Sequence, residues 1–132
     1  MKTTMDSDGT ILPRIKLWLC SEDNEGIFGD GKYRLLESIR DTGCLSTAAK
    51  ALGMSYRKAW GDIAKAEERL GVKLVDRRRG GQDGGHTSLT EAGEKVMCAY
   101  AEFRDHVEQQ VNETFEKHLP TFLNISAEKP VQ

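Results

Sequence analysis

The residues whose types and spacing suit chemistry cluster in the middle of this 132-residue chain. They are Ser46 and Thr47, then Ser55, Tyr56, Arg57, Lys58, Gly61 and Lys65, then Arg78, Arg79 and His86. Hydroxyl, guanidinium and ammonium groups donate hydrogen bonds to phosphates and base edges. A glycine among them lets a helix axis come close to the floor of a groove. The set suits recognition of double-stranded DNA rather than bond making. No nucleophile is spaced against a base and no ligand spacing suits a metal, so no enzyme, metal or cofactor is expected. Cys20, Cys44 and Cys98 are odd in number and widely separated. They read as reduced, buried thiols rather than a disulfide frame.

The elements that position these residues follow from the stretch LSTAAKALGMSYRKAWGDIAKAEERL at 45–70. Ser46 is a good N-cap type for a first helix, Gly53 suits a left-handed end, and Ser55 can cap a second helix two residues later. So short a connection forces a sharp corner, the geometry of a helix-turn-helix. Ala48, Ala49 and Ala51 are small enough for the two helices to cross closely. In the second helix, at about 100° per residue, Ala59, Ile63, Ala66 and Leu70 share a core-facing stripe. Arg57, Gly61 and Ala64 lie opposite, flanked by Lys58 and Lys65. Trp60 falls between the two faces and is expected under a neighbouring element.

After this unit, residues 72–75 begin a strand that runs into Arg77, Arg78 and Arg79. Glycines at 80, 81, 84 and 85 make a loop, and residues 86–89 return as a second strand. A strand, a glycine-rich tip and a return strand after a helix-turn-helix describe a wing, whose arginines suit the backbone or the minor groove. His86 alone reads as a surface or turn-stabilising residue as readily as a contact.

Thr90 is expected to cap a long helix to about residue 119, with Glu91 and Glu94 favoured by the dipole in its first turn. Val96, Tyr100, Phe103, Val107, Val111 and Phe115 recur at three- and four-residue spacing. A helix of about 28 residues reaches about 42 Å, more than so small a core needs. The stripe therefore predicts a homodimer that would set two recognition helices about one DNA turn apart. Pro120 is expected to stop the helix.

Before the central unit, residues 1–13 read as a disordered segment and residues 14–20 as a strand. Residues 21–31 read as an acidic, glycine-rich loop, followed by a helix over 32–42 with Leu35, Leu36 and Ile39 inward and Gly43 past its end. Gly26, Gly31 and Lys32 match the spacing of a phosphate-cradling loop. Tyr33, however, occupies the position where Ser or Thr would hold magnesium, and Asp30 would oppose a phosphate. A tight turn feeding a helix is the expected structure here.

Charge supports the assignment of faces. The net charge is −2, which by itself disfavours a general polyanion binder. Residues 50–79 nevertheless hold nine Lys/Arg against four acids, while residues 91–132 hold eight acids against four bases. One basic end suits phosphate. No apolar run approaches a membrane span and no signal-peptide pattern opens the chain, so a cytoplasmic protein is expected.

The stretches IKLWL, FGDGKYRLLESI, TGCLSTAAKALGMSYRKAW, EERLGVKLV, GGQDGG and SLTEAG together resemble the N-terminal domain of ModE-type, molybdate-responsive transcriptional regulators. LSTAAKALGMS and RLGVKLVDR are more distantly similar to LysR-type regulators. The resemblance spans about residues 14–118. It implies a homodimer through the long terminal helix, DNA contact by the helix beginning SYRKAW, and a wing from the glycine-rich hairpin. Full-length members bind the oxyanion in a C-terminal β-rich domain that this stretch does not contain, so no oxyanion site and no molybdate sensing are expected from these residues.

The expected fold is mainly α with a small β component: a winged helix-turn-helix over 14–119 with a dimerisation helix at 90–119 and a flexible tail at 120–132. The expected function is a sequence-specific DNA-binding transcriptional regulator. A winged-helix protein–protein interaction module is the alternative, distinguished by association that ignores salt and the loss of Arg57 and Lys58.

Overall fold

The computed structural model describes residues 11–78 and 85–123. The chain divides into two compact units, one of them Lys16–Glu102 and the other formed by Met1–Ile15 with Phe103–Gln132.

The first unit opens with a hairpin. Strand β1, Trp18–Cys20, pairs antiparallel with β2, Gly26–Gly29, placing Trp18 opposite Gly29 and Leu19 opposite Phe28. The strand expected over 14–20 is thus confined to its last three residues, and the expected loop contains its partner. Between the strands, the Ser21 amide donates to the Glu25 carbonyl at 2.9 Å and Asn24 takes φ 70°, a conformation Asn tolerates better than most residues. A side chain at Gly29 would put Cβ 2.6 Å from Trp18 Cβ, so the strands approach this closely only over glycine. Phe28 is buried, while Trp18, Leu19 and Cys20 are exposed. β1 is thus an edge rather than a core strand.

Helix α1, Asp30–Thr42, starts directly from β2 and ends at Gly43, whose φ of 71° lets its amide reach the Ile39 carbonyl. The residues matching a phosphate-loop spacing are therefore a strand and the first turn of a helix. Helix α2, Leu45–Ala51, is capped by Cys44 rather than Ser46, which lies one position inside the first turn. Thr42 explains the difference, because its Oγ1 receives the Cys44 amide at 3.3 Å and fixes the corner one residue earlier. Gly53, at φ 71°, turns the chain after α2, and Ser55 caps α3, Tyr56–Leu70, by accepting from the Lys58 amide at 3.0 Å. Ala48 and Ala49 are buried between the helices, but Ala51 is exposed.

Strand β3, Val75–Arg78, and strand β4, His86–Leu89, pair from Val75–Leu89 to Arg78–His86. The expected strand at 72–75 begins only at its last residue, since the Glu67 carboxylate accepts the Leu74 and Val75 amides and holds the approach away from the ladder. The Thr87 amide donates to the Gly43 carbonyl, which seats β4 on the α1–α2 corner. Thr90 Oγ1 accepts the Gly93 amide and so caps α4, Glu91–Leu123. This helix continues past Pro120, against expectation. A proline removes one amide donor, and a helix near its end can absorb that loss.

The core of this unit joins Phe28, Leu35, Leu36, Ile39, Leu45, Ile63, Leu74 and Val75 with the alanines of α2 and α3. Each large apolar side chain buried here contributes about 1.5–3 kcal/mol before conformational entropy is counted. Met97 and Tyr100 of α4 belong to the same core and Val96 packs against it. The Tyr100 ring meets Phe28 edge-on at 5.2 Å, and its hydroxyl donates to the Leu17 carbonyl or Asp30 Oδ1. Two members of the predicted dimer stripe, Val96 and Tyr100, are therefore spent on the domain's own interior.

In the second unit, residues 103–119 of α4 carry the remaining members. Phe103 is exposed, and Val107, Val111 and Phe115 are half-buried along an apolar groove with Leu119. The cysteines are free and none is buried, correcting the expectation of core thiols: Cys20 and Cys98 are exposed and Cys44 is intermediate.

Candidate nucleic-acid interface

α3 presents three working sides, each set by helical spacing. The core side consists of Ala59, Ile63 and Ala66, with Leu70 partly buried. The outward side carries Arg57, Gly61 and Ala64, all exposed. A Cβ added at Gly61 would meet nothing within 4 Å, so the helix is at its slimmest where it faces outward. No hydrogen bond or ion pair engages the Arg57 guanidinium among the described residues.

The wing side is held by Arg77. Its guanidinium lies 4.2 Å from the centroid of the Trp60 ring and donates to the Tyr56 hydroxyl at 2.7 Å. Trp60 thus packs beneath the wing strand, as its place between two faces predicts. Arg77 itself was legible only as part of a basic run. Strand alternation carries the missing signal, because Arg77 is two residues from buried Val75 and shares its side of the ladder. Arg78, the next residue, points the other way and is exposed. Arg79 and the glycine-rich tip lie outside the described residues. His86 is opposite Arg78 in the ladder, but its ring leans on the α1–α2 corner: a Cβ at Gly43 would come within 2.9 Å of His86 Cε1.

The third side faces the β1–β2 hairpin. Lys58 Nζ pairs with Asp62 at 3.0 Å within the helix. Lys65 Nζ pairs with Glu25 at 2.9 Å, and Arg69 pairs with the other oxygen of the same carboxylate. The sequence offered no sign of Glu25, since its partners are forty and more residues away. Ser46 and Thr47 are exposed in the first turn of α2. Their hydroxyls lie beside Cys44, where first the Ser46 side chain and then Thr47 stabilise the thiolate and lower the thiol pKa from 9.0 to about 7. Ser55 is exposed with its Oγ engaged as the cap acceptor.

This arrangement, two helices at a tight corner with the second flanked by a two-stranded wing, is matched in known proteins. Residues 31–94 fit the bacterial regulatory helix-turn-helix protein, lysR family. These residues run from the first turn of α1 to the first turn of α4. The chain is 36% identical over 91 residues to the molybdenum-pterin-binding protein MopB of Rhodobacter capsulatus, covering 69% of this chain and 33% of MopB. It is 38% identical over 71 residues to the molybdenum transport protein ModE of Azotobacter vinelandii, covering 54% of this chain and 26% of that protein. The chain thus spans about a third or less of the length of these curated relatives. A crystal structure of a CbnR_DBD–DNA complex superposes with a TM-score of 0.50 at 20% identity, covering 64% of this chain and 91% of that one. That likeness shows the fold alone, a helix-turn-helix with a wing.

Proposed function

We propose that this protein is a cytoplasmic, homodimeric, sequence-specific DNA-binding transcriptional regulator. The observation that carries the reading is the outward side of α3, where an unengaged Arg57 stands beside Gly61 in open space. A helix so shaped enters a major groove, and an arginine there can hydrogen-bond a guanine edge through two donors. Lys58 stands at the rim of that face. Its exposed pair with Asp62 is worth only a few tenths of a kcal/mol, so it can turn to a phosphate. Lys65 lies further along, engaged by Glu25. Tyr56 and Ser55 open the helix, and Ser46 and Thr47 present hydroxyls at the start of α2 for the backbone. Arg78, with Arg79 and His86, belongs to the wing side of the contact. The bacterial regulatory helix-turn-helix model that residues 31–94 fit supports the regulator reading, and the molybdenum in the relatives' names is no part of this proposal.

The dimer rests on Phe103, Val107, Val111 and Phe115, an apolar stripe on a helix too long for one core. Val96 and Tyr100 leave the proposed interface for the reason given above. No helix among the described residues is long and apolar enough to cross a membrane.

Selection of purified protein against a random duplex pool, followed by fluorescence anisotropy across a salt series, tests the reading. Enrichment of an inverted repeat with a steep salt slope is the expected result. Salt-insensitive association with no enriched sequence would overturn it in favour of a protein-binding winged helix.

A further inference from the structure

The β1–β2 turn places an acidic residue against the helix proposed to read DNA. Resting on that reading, we infer that Glu25 withholds Lys65 and Arg69 from the DNA backbone and so keeps sequence-independent affinity low. Lys65 and Arg69 are one turn apart on α3, and both oxygens of the Glu25 carboxylate are occupied, one by each cation. Glu25 is itself held in place. Its amide donates to Ser21 Oγ at 3.2 Å and its carbonyl accepts the Ser21 amide at 2.9 Å. Glu22 and Asp23 stand in the same turn, so the side of α3 facing the hairpin is bordered by negative charge that phosphate must approach.

The consequence is a division along the helix. The N-terminal half, with Arg57 and Lys58, and the wing remain open to DNA. The C-terminal half has both of its cations engaged, and half of their charge offset, by a residue forty positions earlier in the chain. Cations that touch only phosphate raise affinity for every sequence alike, whereas base contacts raise it for one. Engaging Lys65 and Arg69 therefore favours discrimination over tightness. All three side chains remain 30–49% exposed, so the pairs hold the fold together only weakly and can be broken without unfolding it.

The test is Glu25→Gln, which keeps shape and removes charge, measured by anisotropy on a random duplex and on the selected repeat. Each cation released to a phosphate steepens the salt slope by about 0.9, so the variant should steepen it by about 0.9–1.8. Random-duplex affinity at low salt should rise several-fold and the ratio of specific to random binding should fall. Glu22→Gln removes the same charge from the same turn without releasing either cation, and should do much less. On a Lys65→Ala/Arg69→Ala background, Glu25→Gln should have no effect beyond that control. A slope equal to that of Glu22→Gln, a gain that survives on the double-alanine background, or a loss of affinity would each overturn the inference while leaving the DNA-binding reading intact. A wild-type protein that binds no duplex at low salt overturns both. Thermal melts of each variant confirm that the comparison is between folded proteins.

Discussion

The guanidinium of Arg77 stacks on the indole of Trp60 at 4.2 Å, joining the wing strand β3 to α3. The same guanidinium donates to the Tyr56 hydroxyl one turn earlier on α3, so one side chain ties the wing strand to two successive turns of the helix. Trp60→Leu keeps apolar volume but removes the stacking, worth about 1 kcal/mol at a partly exposed site. If that energy orders the wing, affinity for the selected repeat should fall about fivefold. Random-duplex affinity should fall less. Equal losses on both would show that the stack serves only stability.

Gly61 separates fold from function. It sits inside a helix, where glycine costs about 0.5–1 kcal/mol relative to alanine, and a methyl group there would touch nothing in the free protein. Gly61→Ala should therefore raise the melting temperature by a few degrees. The same methyl should hold the helix off the groove and lower affinity for the selected repeat by about tenfold. A variant both more stable and equally tight would remove Gly61 from the interface.

Much of this was legible because local chemistry decided it. Ser55, Thr90 and Gly43 mark their helix ends, since caps depend on residues within three or four positions. The return strand at 86–89 was bounded correctly by a glycine before it and Thr90 after it. What was hidden depended on partners distant in sequence. Strand β2 holds two apolar residues between glycines, and only pairing with β1 makes it a strand. The apolar stripe of α4 placed Tyr100 on a seam with a second copy, whereas its partners are Phe28 and Asp30 some seventy residues away in the same chain. Glu25 was unreadable for the same reason. None of the cysteines is buried, because a small apolar side chain is compatible with burial without requiring it.

Cys44 gives the fold a pH dependence. Hydrogen bonds from Ser46 first, and then Thr47, lower its thiol pKa from 9.0 to about 7. A depressed pKa means that the thiolate is favoured by folding. Its contribution to stability is complete above pH 9, shrinks between pH 9 and 7, and is lost as pH falls through about 7. Alkylation of Cys44 by iodoacetamide, followed by mass spectrometry of its peptide, should show a rate midpoint near pH 7. Ser46→Ala should move that midpoint upward. An unchanged midpoint would show that Ser46 does not hold the thiolate.

Tyr100 and Val111 lie on one helix, three turns apart, and should fail in opposite ways. Tyr100 has its ring against Phe28 and its hydroxyl among Leu17 and Asp30, so Tyr100→Phe removes a part-buried hydrogen bond from the first unit. Loss of such a hydrogen bond costs about 0.5–1.5 kcal/mol. The expected outcome is a lower melting temperature with an unchanged mass in solution. Val111 lines the groove with Phe103, Val107 and Phe115, where the proposed partner is a second copy. Val111→Asp places a charge in that seam. Sedimentation should show a monomer, and DNA binding should change from an inverted repeat to a single weak half-site, because a monomer reads one groove segment and loses the avidity of two. The melting of the first unit, whose core does not include Val111, should be unaffected at protein concentrations where the dimer has already separated. If Val111→Asp sediments as the wild type does, the stripe is not the dimer seam. The length of α4 would then need another explanation.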